Sequence, residues 1–180
     1  HVEDSLTGLA VPAVREAATI ADLGSGGGFP GLVLAIALPE ARVFLVESVR
    51  RKCNFLERVI AAAEIGNTEV VCDRAESWEA GVGIIDVVTA RALAPLAVIV
   101  EYAAPLLRTG GTLVAWKGSP SDAELAAGSA AAQIVGLAPG PSVGAERTGV
   151  PGVLVTCTKA EPTPDRFPRR AGMARKRPLA

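Results

Sequence analysis

The stretch A-D-L-G-S-G-G-G-F-P-G (residues 21–31) holds five glycines in eleven positions. It closes a short apolar run, T-I-A-D-L-G (19–24), and opens G-L-V-L-A-I-A-L-P (31–39), a helix pattern stopped by Pro39. A buried strand, a glycine-rich turn and a helix in succession form the first unit of an α/β fold. Glycines gather at such a turn when the backbone must approach something closely or take left-handed conformations.

Working outward, the same alternation recurs. A-R-V-F-L-V-E (41–47) reads as a second strand, its continuous apolar run suiting a parallel strand covered on both faces. Ser48 is expected to cap a helix through about Glu64, with Cys53, Leu56, Val59, Ile60 and Ala63 on one stripe. T-E-V-V-C-D (68–73) and I-I-D-V-V-T-A-R (84–91) are the third and fourth strands, and L-A-V-I-V-E-Y-A-A-P-L-L (96–107) is a helix. G-G-T-L-V-A-W-K-G (110–118) is the fifth strand, followed by a helix over 122–135. P-G-V-L-V-T-C-T-K-A (151–160) has no helix behind it and is expected to pair with an irregular strand within 137–147.

Strand–helix alternation gives a doubly wound parallel sheet, and a terminal strand pair inserts one antiparallel strand near the C-terminus. The expected fold class is therefore α/β, in the class I methyltransferase variant of the Rossmann-like architecture. Fold alone assigns no chemistry.

Ligands in such sheets bind at the carboxyl ends of the strands, where strand order reverses. The run contains Gly24, Gly26 and Gly28, but the third glycine of a dinucleotide fingerprint falls on Phe29. The alternative match, Gly26-Gly28-Gly31, starts two residues further from the strand. Asp22 stands directly before the glycines, where a carboxylate repels pyrophosphate and suits a positively charged group. The amino acid end of S-adenosylmethionine is such a group. Glu47, 19 residues past Gly28, is positioned to accept hydrogen bonds from two ribose hydroxyls, as in either cofactor fold. Asp22 then favours S-adenosylmethionine over a nicotinamide cofactor, and the absence of Gly-Lys-Ser/Thr excludes a P-loop.

Further candidates stand at successive strand ends. The Ala75 amide and Glu76 side chain are expected to frame an adenine, Arg91 to fall beside the expected methyl group, and Lys117 to lie on the same rim. Arg91 as a helix-start cation and Lys117 as an edge-strand charge are the plain readings of the same residues.

The bulk composition adds limits. No run of 18 apolar residues suggests a membrane span, nothing at the start reads as a signal peptide, and the first residue is His1 rather than Met. A cytoplasmic monomer is expected. Cys53, Cys72 and Cys157 form neither a disulfide framework nor a zinc pattern, so buried free thiols and no metal are expected. The charge is uneven. Arg166, Arg169, Arg170, Arg175, Lys176 and Arg177 stand in a final segment without acids, leaving residues 1–165 with 12 basic against 19 acidic residues, a charge of −7. An acidic body with a basic tail suggests a polyanion met at one edge, or else a solvated terminus.

The motifs H-V-E-D-S-L (1–6), D-L-G-S-G-G-G-F-P-G (22–31), V-E-S-V-R-R-K-C-N-F-L (46–56), R-A-E (74–76), A-R-A-L-A (90–94) and K-G (117–118) occur in order. So does F-P-R-R-A-G-M-A-R-K-R-P-L (167–179). In this the chain resembles the bacterial 16S ribosomal RNA guanine-N7 methyltransferases, also called glucose-inhibited division protein B. The resemblance implies S-adenosylmethionine as cofactor, held by Gly24, Phe29, Ala75, Glu76 and Arg91, with Glu47 in the ribose role where the family has Asp. It implies 16S ribosomal RNA or the small ribosomal subunit as partner. It also implies a cofactor domain over 1–165 and a basic tail over 166–180. Family members carry several dozen residues of helix ahead of the H-x-x-D-S-L segment, and here His1 begins it.

Guanine N7 carries a lone pair and no proton, so methylation there needs no general base. This suits a chain whose one histidine is His1. Catalysis would rest on positioning, with Arg91 and Lys117 orienting the base. The alternatives are a small-molecule methyltransferase on the same fold, a nicotinamide-dependent oxidoreductase and a non-catalytic RNA-binding module.

Overall fold

The computed structural model describes residues 1–144 and 152–180. Its sheet runs in the order β3-β2-β1-β4-β5-β8-β6, with β7 pairing β8 beside β6. The strands are β1 (Thr19–Leu23), β2 (Arg42–Val46), β3 (Thr68–Val71), β4 (Ile85–Arg91), β5 (Leu107–Lys117), β6 (Leu137–Pro139), β7 (Val143–Gly144) and β8 (Val153–Lys159). The first five are parallel, whereas β8 runs antiparallel to β5, β6 and β7. Order reverses beside β1: β2 and β3 lie on one side, β4 and β5 on the other. The expected irregular partner of the last strand is thus two short segments, β6 and β7. Residues 145–147 and 151 of the two expected stretches lie outside the described residues.

Alternation along the strands divides the core between two faces. Ala21, Leu23, Val88, Ala90, Leu113 and Ala115 point to one side, with α5 (Leu96–Ala103) and α6 (Asp122–Ile134) over them. Ile20, Val43, Leu45, Val87 and Val114 point to the other, beneath α3 (Gly31–Ala37) and α4 (Arg50–Ala62). The central strands are buried on both faces, which is why they read as unbroken apolar runs.

Two ends of the chain cover the strand termini. The opening segment forms α1 (Val2–Leu6), a 3-10 turn and α2 (Pro12–Arg15) on the α3 side. Trp116 fastens it, its indole N–H donating to the Asp4 carbonyl at 3.0 Å. The closing segment ends in α7 (Met173–Lys176) against α5.

Local differences from the expected elements have local causes. Ser48 does not cap α4: the first helical bonds, from the Lys52 and Cys53 N–H groups, end on the Val49 carbonyl at 2.8 and 3.1 Å, which makes Val49 the N-cap, with no side-chain acceptor. Strand β5 starts at Leu107, ahead of Gly110-Gly111, since a register irregularity against β4 carries the glycines within the strand.

Candidate cofactor cleft

The glycine loop leaves β1 by turning toward β2. The Gly24 N–H donates to the Val46 carbonyl at 2.8 Å, and the Ser25 N–H reaches the same oxygen at 3.3 Å. Gly24 has φ +69°, a conformation that favours glycine, and a Cβ there would also displace the tip of Leu93, whose Cδ1 lies 2.6 Å from that position. Gly28, at φ +94°, completes the turn by accepting the Leu32 N–H at 2.8 Å.

Asp22 closes this loop from behind. Its Oδ2 accepts the Gly31 N–H at 3.1 Å, and its Oδ1 accepts the Thr89 hydroxyl at 3.0 Å. The residue is only 1% exposed, and burial pushes its carboxyl up to about 6 despite those hydrogen bonds. The sequence reading turned this carboxylate toward a positively charged ligand. The structure turns it inward, as a clasp between β1, β4 and the start of α3. A Cβ on residue 31 would collide with Leu45 and come within 2.8 Å of Asp22 Oδ2, which explains the last glycine of the run.

A cleft of about 590 Å³ opens at the reversal point. Gly24, Glu47, Ala75 and Glu76 line it, as the sequence suggested. Asp22, Gly26, Gly28, Phe29 and Arg91 lie outside its lining. Glu47 is 5% exposed and its two oxygens are separately fixed: Oε2 accepts the Gly26 N–H at 3.1 Å and Oε1 the Val49 N–H. Lys52 Nζ stands 3.7 Å from Oε2. A carboxylate offers about four acceptor sites, so this one, oriented by two amides, retains capacity for hydroxyl donors.

Sequence reasoning missed Lys52, Tyr102 and Gly172, which also line the cleft. It assigned Arg175 and Lys176 to a basic tail, yet both stand in the cleft wall. The Gly172 N–H donates to Glu76 Oε1 at 2.9 Å, and Arg175 Nη2 donates to the Leu93 carbonyl at 2.9 Å. Anchoring them, Arg169 makes a two-pronged contact with Glu101, Nε to Oε1 at 2.6 Å and Nη2 to Oε2 at 2.5 Å. Phe167 and Ala174 are buried in the core beside α5. No signal short of tertiary contact identifies these roles. Arg166, Arg170 and Arg177 are exposed outside the cleft, and Arg175 and Lys176 are exposed at its wall.

Arg91 and Lys117 are both tied. Arg91 Nε pairs with Asp4 at 2.8 Å, and its Nη2 meets His1 Nδ1, whose ring lies 5.6 Å from that of Phe29. Lys117 Nζ pairs with Glu124 Oε1 at 2.6 Å and donates to the Ala94 carbonyl at 2.9 Å. The two cations thus flank residues 92–95 from either end.

The cysteine expectation is corrected. Cys53 and Cys72 are joined in a disulfide, with Cα atoms 5.8 Å apart. The buried stripe of α4 packs its first turn against the end of β3, a proximity that a separation of 19 residues conceals. Cys157 is buried and free, and burial pushes its thiol up to about 11. Among the described residues, no helix is long and apolar enough to cross a membrane. No group of three or more His, Cys, Asp or Glu among them is arranged to hold a metal.

The strand order and the cleft at its reversal point define the class of architecture, that of the class I methyltransferases. The structure is similar to a SAM-dependent methyltransferase from Aquifex aeolicus, with a TM-score of 0.68 at 17% identity over 87% of this chain and 90% of that one. A family model, rRNA small subunit methyltransferase G, matches residues 1–146. The chain belongs to that family. Ribosomal RNA small subunit methyltransferase G of Rubrobacter xylanophilus is 42% identical over 99% of this chain and 72% of its own length. Its namesake from Chloroflexus aggregans is 42% identical over 99% and 76%.

Proposed function

We propose that this chain methylates N7 of a guanine in 16S ribosomal RNA, using S-adenosylmethionine. The observation that carries the reading is a cleft at the β1–β4 reversal, in a chain of this family, where Glu47 is amide-oriented and the left-handed Gly24 lines the wall with bare backbone. These residues fit the cofactor: a bare backbone for close approach and an acceptor for ribose hydroxyls. When bound there, S-adenosylmethionine supplies an electrophilic methyl group on a sulfonium.

The chain's own contribution is positioning. Glu47 receives the ribose, while Ala75 and Glu76 border the adenine, Glu76 being aimed by the Gly172 N–H. Asp22, Gly26, Gly28 and Phe29 shape the loop from outside the cleft. Arg91 and Lys117 hold the rim at residues 91–95 and orient the incoming base. N7 brings no proton, so these residues need not remove one. Of the six basic residues of the final segment all but Arg169 are exposed, and Arg166, Arg170 and Arg177, which stand outside the cleft lining, have side chains available for RNA phosphates, in naked 16S RNA or the assembled subunit.

The test is transfer of a radiolabelled methyl group to 16S ribosomal RNA, with the modified nucleotide mapped. Label at guanine N7 is the expected result. Label on another atom, or none from a chain that binds S-adenosylhomocysteine, overturns the reading. Turnover near wild type in both Arg91→Ala and Lys117→Ala at saturating cofactor would remove their assigned roles.

A further inference from the structure

A second cavity, of about 700 Å³, adjoins the cofactor cleft and shares Ala92 and Leu93 with it. Its wall is mostly apolar, formed by residues such as Pro95, Ala127 and Pro178, and its charged side chains are Lys117 and Glu124. Glu124 is the feature out of place. Ser121 caps α6, its hydroxyl accepting the Glu124 N–H at 3.2 Å, which is half of a capping box. The reciprocal half would send the Glu124 carboxylate back to the Ser121 N–H. Instead, Oε1 accepts from Leu96 N–H at 3.1 Å and from Lys117, at the cavity wall. The lysine contact holds this carboxyl below its ordinary value, so it stays ionised.

We propose that this cavity receives the target guanine, with Glu124 reading the base's Watson–Crick edge and Lys117 its O6. The inference rests on the methyltransferase reading above. Guanine presents N1–H and N2–H donors side by side, beside the O6 acceptor. An ionised carboxylate accepts only and an ammonium donates only, so a Glu–Lys pair complements that edge. Adenine has no N1–H and offers an amino donor where guanine has O6, setting donor against the lysine. N7 lies beside O6 on the next edge of the base and away from N2. A base held at Glu124 through N1–H and N2–H therefore leaves N7 free, in a cavity that shares Ala92 and Leu93 with the cofactor cleft. The apolar flanks suit the two faces of a base taken out of its stack.

The experiment measures kcat/KM for the full chain on two 16S RNAs made by ligation, carrying guanine or inosine at the target position. Inosine lacks only the N2 amino group. The wild type is expected to prefer guanine by about tenfold, the scale of one recognition contact. Glu124→Gln should lose about tenfold on guanine and no longer distinguish the two RNAs. Ala127→Phe, which fills the cavity, should lower kcat/KM on both. S-adenosylhomocysteine affinity should be unchanged in either variant, which also reports that each is folded. Retained guanine preference in Glu124→Gln, or wild-type kcat/KM in Ala127→Phe, overturns the assignment alone. A wild type that binds cofactor but methylates neither RNA overturns the methyltransferase reading with it.

Discussion

The two ends of this chain converge on the same strand-end loop, residues 92–95, from the two faces of the sheet, and they are fastened differently. On the α3 side, Asp4 holds Arg91 at 2.8 Å, with side chains 26% and 18% exposed. On the α5 side, Arg169 grips Glu101 through both guanidinium arms, and the carboxylate is 3% exposed. When the first contact opens, both charges recover water. When the second opens, Glu101 remains inside α5 with no partner. A salt bridge of the first kind adds little to stability, whereas breaking one of the second kind is costly. The closing segment is therefore held as part of the packed body that forms the cleft, and the opening segment is a lighter contact upon it.

The sharpest way to break that contrast is Arg169→Met. It keeps length and apolar packing but leaves the Glu101 carboxylate buried and unpaired, a loss of about 3–5 kcal/mol in urea denaturation. Cofactor affinity should fall as well, because Gly172, Arg175 and Lys176 line the cleft only while this segment is docked. Adding Glu101→Gln should recover most of the stability, since a neutral amide tolerates burial better than an orphaned charge. A loss under 1 kcal/mol in the single variant would reduce the closing segment to an appended tail.

Between the two fastenings lies the glycine loop, and its clasp is sensitive to pH. Asp22 has a folded-state value of about 6 against 3.8 for an ordinary aspartate. The folded chain thus holds the proton more tightly than the unfolded one. Its contribution to stability is fully present below about pH 4 and is lost as pH rises through 6. Asp22→Asn removes that titration. The stability of the wild type relative to the variant should decline by about 2–3 kcal/mol between pH 4 and 7. A difference independent of pH would mean the carboxyl is not held as described.

The same contrast explains what could be read from sequence. The five-strand alternation, the antiparallel ending and the cleft residues Gly24, Glu47, Ala75 and Glu76 were legible because each depends on a local pattern. Apolar runs mark strands buried on both faces, glycines mark the turn, and an acid ends β2. What escaped depends on contacts between distant segments. Basic residues without acids read as a tail, yet Glu101 and Glu76 complement Arg169 and the Gly172 N–H from 68 and 96 residues away. Cys53 and Cys72 escaped for the same reason, being brought together by the packing of α4 on β3. Asp22 was located correctly at the loop, but its inward orientation follows from Thr89 on the neighbouring strand, which no spacing within residues 21–31 encodes.

The smallest expected change is at the opening segment, and it tests the contrast from the other side. Asp4→Asn removes the charge facing Arg91 and leaves the backbone carbonyl of residue 4, which still accepts from Trp116 Nε1 and Thr7 Oγ1. The segment therefore stays docked, and stability should fall by about 0.2–1 kcal/mol, as for other partly exposed ion pairs. Turnover is a separate matter, since Arg91 at the end of β4 loses the partner that fixes its guanidinium. Methyl transfer at saturating cofactor should drop more than stability does, with S-adenosylhomocysteine affinity unchanged because Arg91 lies outside the cleft lining. A loss of 3 kcal/mol or more would put the two ends on equal footing. Equal turnover would leave Arg91 holding the opening segment in place and nothing else.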